Sequence, residues 1–180
     1  MPSQNQDNSI RLILVFILIV FAAVIFYVHQ VTVTREADVP APQPTEYKNN
    51  IYGVSLEFPA DWQPASSNTF DSYSGTSGFF SLSVSSAADS SVSALAKKDT
   101  DDIAHPYGSS PTTSSLVVDG QPAILITPSS DQDVSLDGRA ELIVEYPKPV
   151  IISGQVYMYL ILQADKVHIT DIARSLTFAS

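Results

Sequence analysis

Hydrophobic positions along this chain follow two regimes, first a continuous run and then short alternating stretches. Residues 12–28 read LILVFILIVFAAVIFYV, with no charged or strongly polar side chain, and fourteen of the seventeen are Leu, Ile, Val or Phe. A helix rises about 1.5 Å per residue, so this run covers roughly 26 Å, close to the hydrocarbon thickness of a bilayer. At about 0.3–0.6 kcal/mol each, these side chains favour insertion by roughly 4–8 kcal/mol in all. The pattern predicts a transmembrane anchor over residues 12–33, with Tyr27 and His29 at the interface and Gln30 to Val33 prolonging the helix into the headgroups. The run is longer than the roughly 7–15 apolar residues of a secretory signal, and no small-residue cleavage site follows it closely, so the anchor is expected to be retained. A pilin-type start would need a Gly before the helix and a Glu early within it, and the sequence has neither. Residues 1–11, ending in Arg11, are read as a short cytoplasmic tail, which places everything after the span outside the cell.

From residue 47 the period changes to two. Val54, Leu56 and Phe58 alternate with Ser55 and Glu57, preceded by turn formers at Asn49-Asn50 and Gly53 and ended by Pro59. Phe80, Leu82 and Val84 alternate with serines, and Leu142, Val144 and Tyr146 alternate with Glu141 and Glu145, so both read as half-buried strands. Residues 116–118 and 123–127 flank Asp119-Gly120, a dipeptide suited to a tight hairpin. Residues 156–162 are apolar on both faces, as in a central strand covered on both sides. Two segments carry helical spacing instead. In residues 90–104, Val92, Leu95, Ala96 and Ile103 share one side, with Lys97, Lys98, Asp99, Asp101 and Asp102 mostly opposite; near the end, Ile169, Ile172, Ala173 and Leu176 follow i, i+3, i+4, i+7. Thr177-Phe178 is expected as a last short strand or the edge of the core. Strands with two interspersed helices predict an α+β domain over residues 47–180, built on an antiparallel sheet. Residues 34–46, with Pro40, Pro42 and Pro44, read as an extended linker between anchor and domain.

Composition narrows the function. The chain has 19 acidic and 9 basic residues, a net charge of -10 and no cysteine. That excludes disulfides, thiol nucleophiles and Cys-rich zinc sites, and it argues against a nucleic-acid partner, whose phosphates need Lys and Arg. The acids are not confined to the tail: residues 47–180 hold 15 acids against 7 bases.

Residues 47–62, YKNNIYGVSLEFPADW, resemble the opening of PsbP-like domains, in which an aromatic and Gly precede an alternating strand ended by Pro and then Trp. Asp119-Gly120-Gln121-Pro122-Ala123, the strand over residues 157–162 and the closing IARSLTF of residues 172–178 also fit that pattern. The resemblance implies an α/β/α sandwich around an antiparallel sheet, with Tyr52, Gly53, Phe58, Pro59 and Trp62 in structural roles. It implies no activity: the best-known members are extrinsic photosystem subunits, and nothing in this chain points to a photosynthetic partner.

Candidate chemistry is sparse. Asp131, Asp133 and Asp137 alternate in DQDVSLDG and offer hard oxygen ligands for Ca²⁺, but an EF-hand would need Gly and Glu where Leu136 and Leu142 stand. A solvated acidic loop is the competing reading. The 25 serines include no G-x-S-x-G elbow, and His105 and His168 read as surface or helix-end residues. Aromatic side chains, chiefly Tyr73, Tyr107, Tyr157 and Tyr159 with Phe79 and Tyr146, can line a groove for a glycan or peptide, or else pack the core; Trp62 is expected to lid the core. The sequence therefore predicts a single-pass, membrane-anchored protein whose extracytoplasmic domain binds or scaffolds a protein or neutral glycan without catalysis or a resident cofactor. The alternatives are a small extracytoplasmic hydrolase or other enzyme with a dispersed site, and a Ca²⁺-stabilised domain.

Overall fold

The computed structural model describes residues 14, 17–27, 43–65, 71–86 and 91–179, and the chain divides into two units, Met1–Ala41 and Pro42–Ser180. In the first unit residues 17–27 are helical (α1) and exposed all round, Phe21 at 69% and Tyr27 at 71%. Among the described residues no helix is long and apolar enough to cross a membrane. The expected tail at 1–11, the ends of the expected anchor and most of the linker lie outside the described residues.

The second unit is a mixed α+β domain with two antiparallel sheets. Its elements run β1 (Thr45–Asn49), β2 (Val54–Phe58), β3 (Gln63–Pro64), β4 (Asp71–Ser74), β5 (Phe79–Ser85), α2 (Val92–Thr100), β6 (Thr112–Val118), β7 (Gln121–Thr127), a 3-10 turn (Val134–Leu136), β8 (Arg139–Ile152), β9 (Gln155–Asp165), α3 (Ile169–Ser175) and β10 (Thr177–Phe178). The large sheet has the order β3-β4-β5-β9-β8-β7-β6, and the small one β1-β2-β10. Two hairpins use positive φ at both loop residues, Asp119 and Gly120 after β6 and Ser153 and Gly154 after β8. This is the geometry whose twist matches that of the flanking strands.

The two faces of the large sheet are covered differently. On one face Phe80, Leu82, Leu142, Val144, Leu160 and Leu162 pack with Leu56 and Phe58 of the small sheet and with Ile169, Ile172 and Leu176 around α3. Phe80 is fully buried there, stacked on Tyr73 at 5.2 Å and flanked by Phe58 at 5.2 Å, Tyr47 at 5.7 Å and Trp62 at 6.2 Å. On the other face Ile126, Ile143 and Tyr159 pack against Val92, Leu95 and Ala96 of α2. With β5 and β8 on either side and both faces covered, β9 sits at the centre, as its two-sided apolar run predicts.

Four sequence expectations change. The linker does not reach residue 46: Thr45 and Glu46 already pair with Phe58 and Glu57, in an edge strand that buries Tyr47 alone and so shows no apolar alternation. The antiparallel structure is divided into two sheets, not one. Helix α2 stops at Thr100 and leaves Ile103 94% exposed. The Asp102 carboxylate accepts from the Ala104 amide at 2.8 Å and closes a turn that competes with further helix. Glu141, read as an outward position, is 4% exposed, because β8 is covered on both faces from Ala140 to Val144.

Beyond Glu145 the strands β8 and β9 leave their neighbours. Among the described residues, 150–152 pair with 155–157 only, after a register break spanning Pro147, Lys148 and Pro149. The Phe80→Ala variant is expected to lose about 3–5 kcal/mol in urea unfolding, since it empties the junction between the two sheets; a loss below about 1 kcal/mol would contradict this account of the core.

Candidate functional site

Register places a pair of polar side chains at the middle of the α2-covered face. Glu141 of β8 lies directly across from Gln163 of β9, and Ser83 of β5 lies across from Ile161. Helix α2 and the loop after it supply Leu95, Lys98, Asp99, Asp102, Pro106 and Tyr107, and together these residues line a cavity of about 350 Å³. The Tyr107 hydroxyl donates to Glu141 Oε2 at 2.7 Å, and the Gln163 amide donates to the same oxygen at 2.8 Å. Oε1 is buried and receives no hydrogen bond from any described residue. Burial pushes the Glu141 carboxyl up to about 7, against the lowering effect of its Gln163 and Tyr107 donors, and the neighbouring Asp99 carboxyl raises it further. Burial, and then the Glu141 charge, push the Tyr107 hydroxyl above its usual range, so it stays a donor.

A second polar group lies where β9 runs into α3. The Asp165 carboxylate, 7% exposed, accepts from the amides of Phe79 (3.2 Å), Val167 (3.1 Å) and His168 (3.2 Å) and from His168 Nδ1 at 2.8 Å. Because a carboxylate only accepts, Nδ1 is the donor in this bond. Trp62 sets its ring edge-on to His168 at 5.1 Å and donates Nε1–H to Ser77 Oγ at 2.8 Å. Gly78 is required by close approach: a Cβ there would stand 2.0 Å from Asp165 Oδ2. His168 also borders a cavity of about 360 Å³ with Glu57, Asp61, Asp171 and Ser175. The Ser175 hydroxyl is held by the backbone, donating to Ile172 O at 2.8 Å and accepting from Glu57 N at 2.8 Å.

The candidate residues named from the sequence do not assemble into one site. Tyr73 packs on Phe80, on the face that carries α3, while Tyr107 and Tyr159 are buried on the α2 face, each 3% exposed. Tyr157 is half-buried on the projecting end of β9, across from Val150. These four tyrosines therefore form no common groove, and only Tyr107 borders the Glu141 cavity. Phe79 lies under the Arg139 guanidinium at 5.7 Å, and Tyr146 donates to Tyr52 O at 3.0 Å. The three aspartates close separate local contacts. Asp131 takes the Ser129 hydroxyl and the Ser109 amide, and its donors, those of Ser109 first and then Ser129, hold it at about 2. Asp133 accepts from Ser135 N at 2.8 Å, and Asp137 ends the 3-10 turn at a φ of 52°. Among the described residues no group of three or more His, Cys, Asp or Glu side chains is placed to hold a metal ion. His105 occupies an exposed turn at a φ of 48°.

Sequence reasoning missed Glu141 and the Asp165–His168 pair. The D-x-x-H spacing at a strand-to-helix junction was the available signal for the pair. Glu141 gave no such signal, because only the arrival of α2 turns that strand face inward.

No family model and no curated protein matches the chain. Among solved structures it is similar to the solution structure of cyanobacterial PsbP (CyanoP) from Synechocystis sp. The two are 11% identical with a TM-score of 0.41, over 79% of this chain and 96% of that one.

The titration of Glu141 has a definite sign. Below its ordinary value of 4.5 the carboxyl is protonated whether the chain is folded or not; between 4.5 and about 7 only the folded chain keeps the proton. Stability attached to this group is thus complete below 4.5 and falls as pH rises to about 7. Glu141→Gln keeps a carbonyl for both donors and removes the charge. Urea unfolding at pH 4.5 and 8 is expected to show the variant gaining on the wild type by on the order of 2 kcal/mol. Parallel pH profiles would rule the assignment out.

Proposed function

We propose that the chain is a non-catalytic binding domain, held at the outer face of a membrane by its N-terminal helix, that engages its ligand at the Glu141 cavity. One observation carries the binding reading: Glu141, with a buried oxygen that has no donor among the described residues, lines an opening formed by α2, its following loop and the sheet. The apolar run of residues 12–28 supports the anchor, and a protein or a neutral glycan is the partner class that an acidic domain favours over DNA or anionic lipid. A photo-crosslinking residue at Asp102, irradiated in intact cells carrying the full-length chain, is expected to trap a discrete species that Glu141→Gln loses. The chain should stay with membranes through carbonate extraction, and a membrane-impermeant amine reagent should reach Lys97, 75% exposed, in unbroken cells. Release by carbonate would remove the anchor, and protection of Lys97 would reverse the orientation.

A small hydrolase is the second reading, favoured by the carboxylate-oriented His168 ring at the edge of its own cavity. The backbone bonds of Ser175 oppose it, since they leave that hydroxyl committed as a donor. The hydrolase reading requires a measurable ester or amide turnover that His168→Gln lowers at least about a hundredfold, the usual scale of a general base. Equal turnover in the two proteins would eliminate it.

A further inference from the structure

We propose that the Glu141 cavity takes a primary alkylammonium group, that of a lysine side chain or of a free aliphatic amine. This rests on the binding reading above and names the chemistry of its ligand. The argument begins with charge. Glu141, 96% buried by its 4% exposure, faces Asp99 of α2, and Asp102 adds a third carboxylate at the mouth. Glu141 is buried and Asp99 half-buried, and two carboxyls this close favour a positive charge between them, either a shared proton or a bound cation.

The geometry then selects among cations. Tyr107 and Gln163 both donate to Oε2, so among the described residues Oε1 is left without a donor, with the Asp99 carboxyl as the neighbour of Glu141. A guanidinium fork is best matched by both oxygens of a carboxylate, whereas an ammonium is a compact charge with three separate donors. Oε1, the Asp99 carboxylate and the hydroxyls of Ser83 and Ser85 are the acceptors within the cavity lining. A hard metal ion would ask for six or more oxygen ligands, and no metal-holding group of side chains occurs among the described residues. Leu95, Ile161 and the Tyr107 ring offer apolar wall to a methylene chain, and about 350 Å³ accommodates one of four or five carbons.

The charged and titratable groups facing Glu141 are Asp99, Asp102, Tyr107 and Lys98. Lys98, an exposed residue of α2 that lines the same cavity, is the internal competitor for the ligand. A bound ammonium replaces the proton on Glu141, so binding releases that proton and strengthens as pH rises through about 7.

Calorimetry on the full-length chain in nonionic detergent tests this, with n-butylamine and Nα-acetyl-lysine methylamide as probes and tetramethylammonium, which has no N–H, as control. Binding is expected at pH 8, weaker by at least about fivefold at pH 6, and weaker by at least about tenfold in Glu141→Gln. Lys98→Ala should tighten it, and tetramethylammonium should not compete. A preference for the lysine derivative assigns the ligand to a protein, and a preference for butylamine assigns it to a free amine. Equal affinity in Glu141→Gln, with that variant folded by its melting curve, would overturn the proposal, as would equal binding of tetramethylammonium or no binding of either amine. If no amine binds while the Glu141-dependent crosslink persists, the ligand class fails and the binding reading stands.

Discussion

The arrangement of this domain follows from the pairing of β8 with β9. From Arg139 to Glu145 one strand runs antiparallel to residues 159–165 of the other, and the middle of the pair, Leu142 to Val144 against Leu160 to Leu162, is apolar on both faces. A strand pair of that kind leaves two hydrophobic surfaces in water unless both are covered. One cover is the small sheet with α3, which brings the amino-terminal strands and the carboxy-terminal segment together: β10 pairs with β2, and the Ala179 amide donates to Gly53 O at 2.8 Å. The other is α2, a helix of nine residues. A short helix cannot span a seven-stranded sheet, so the second surface is only partly roofed. The polar residues Glu141, Gln163 and Ser83 collect beneath α2 and the loop that follows it.

An acid at such a covered position carries a desolvation cost. Glu141 occupies a site that full burial would assign to Val or Ile, as at Ile143 two residues on. Its cost is reduced by the two donors on Oε2 and by protonation, and the Asp99 carboxylate overhead makes the protonated state more favourable still. The Asp165 carboxylate solves the same problem by other means. It is surrounded by three amides and an imidazole, and works as a bracket between β5, β9 and α3.

The readable parts of the sequence were those in which local chemistry and tertiary position agree. Alternation in β2 and β5, the Asp119-Gly120 turn, the two-sided apolar run of β9 and the spacing of α3 each describe a surface that the strand or helix presents whatever its partner. The site was hidden because its geometry depends on partners far apart in the chain. Glu141 alternates with Leu142 and Val144 like any solvent-facing acid, and only the helix at residues 92–100 encloses it. The tyrosines, open from the sequence to either a groove or the core, are spread over the layers: Tyr73, Tyr107 and Tyr159 pack between them, and of these only Tyr107 also borders the Glu141 cavity. Ile103 shows the limit of periodicity, since a single aspartate-capped turn removes it from the helix it matches.

The ribbon beyond Glu145 has a bearing on how this protein avoids its own kind. Among the described residues, 150–152 and 155–157 pair only with each other, beside Ile151 at 71% exposure and Val156 at 48%. Free strand edges next to branched apolar side chains are a template for self-association into larger sheets. Pro147 and Pro149, placed where the ribbon leaves the sheet, take away two amide donors and break the register between Glu145 and Val150. An incoming strand thus meets a ladder with missing rungs. The irregularity that separates the ribbon from the sheet removes amide donors where the longest strand pair outruns its cover.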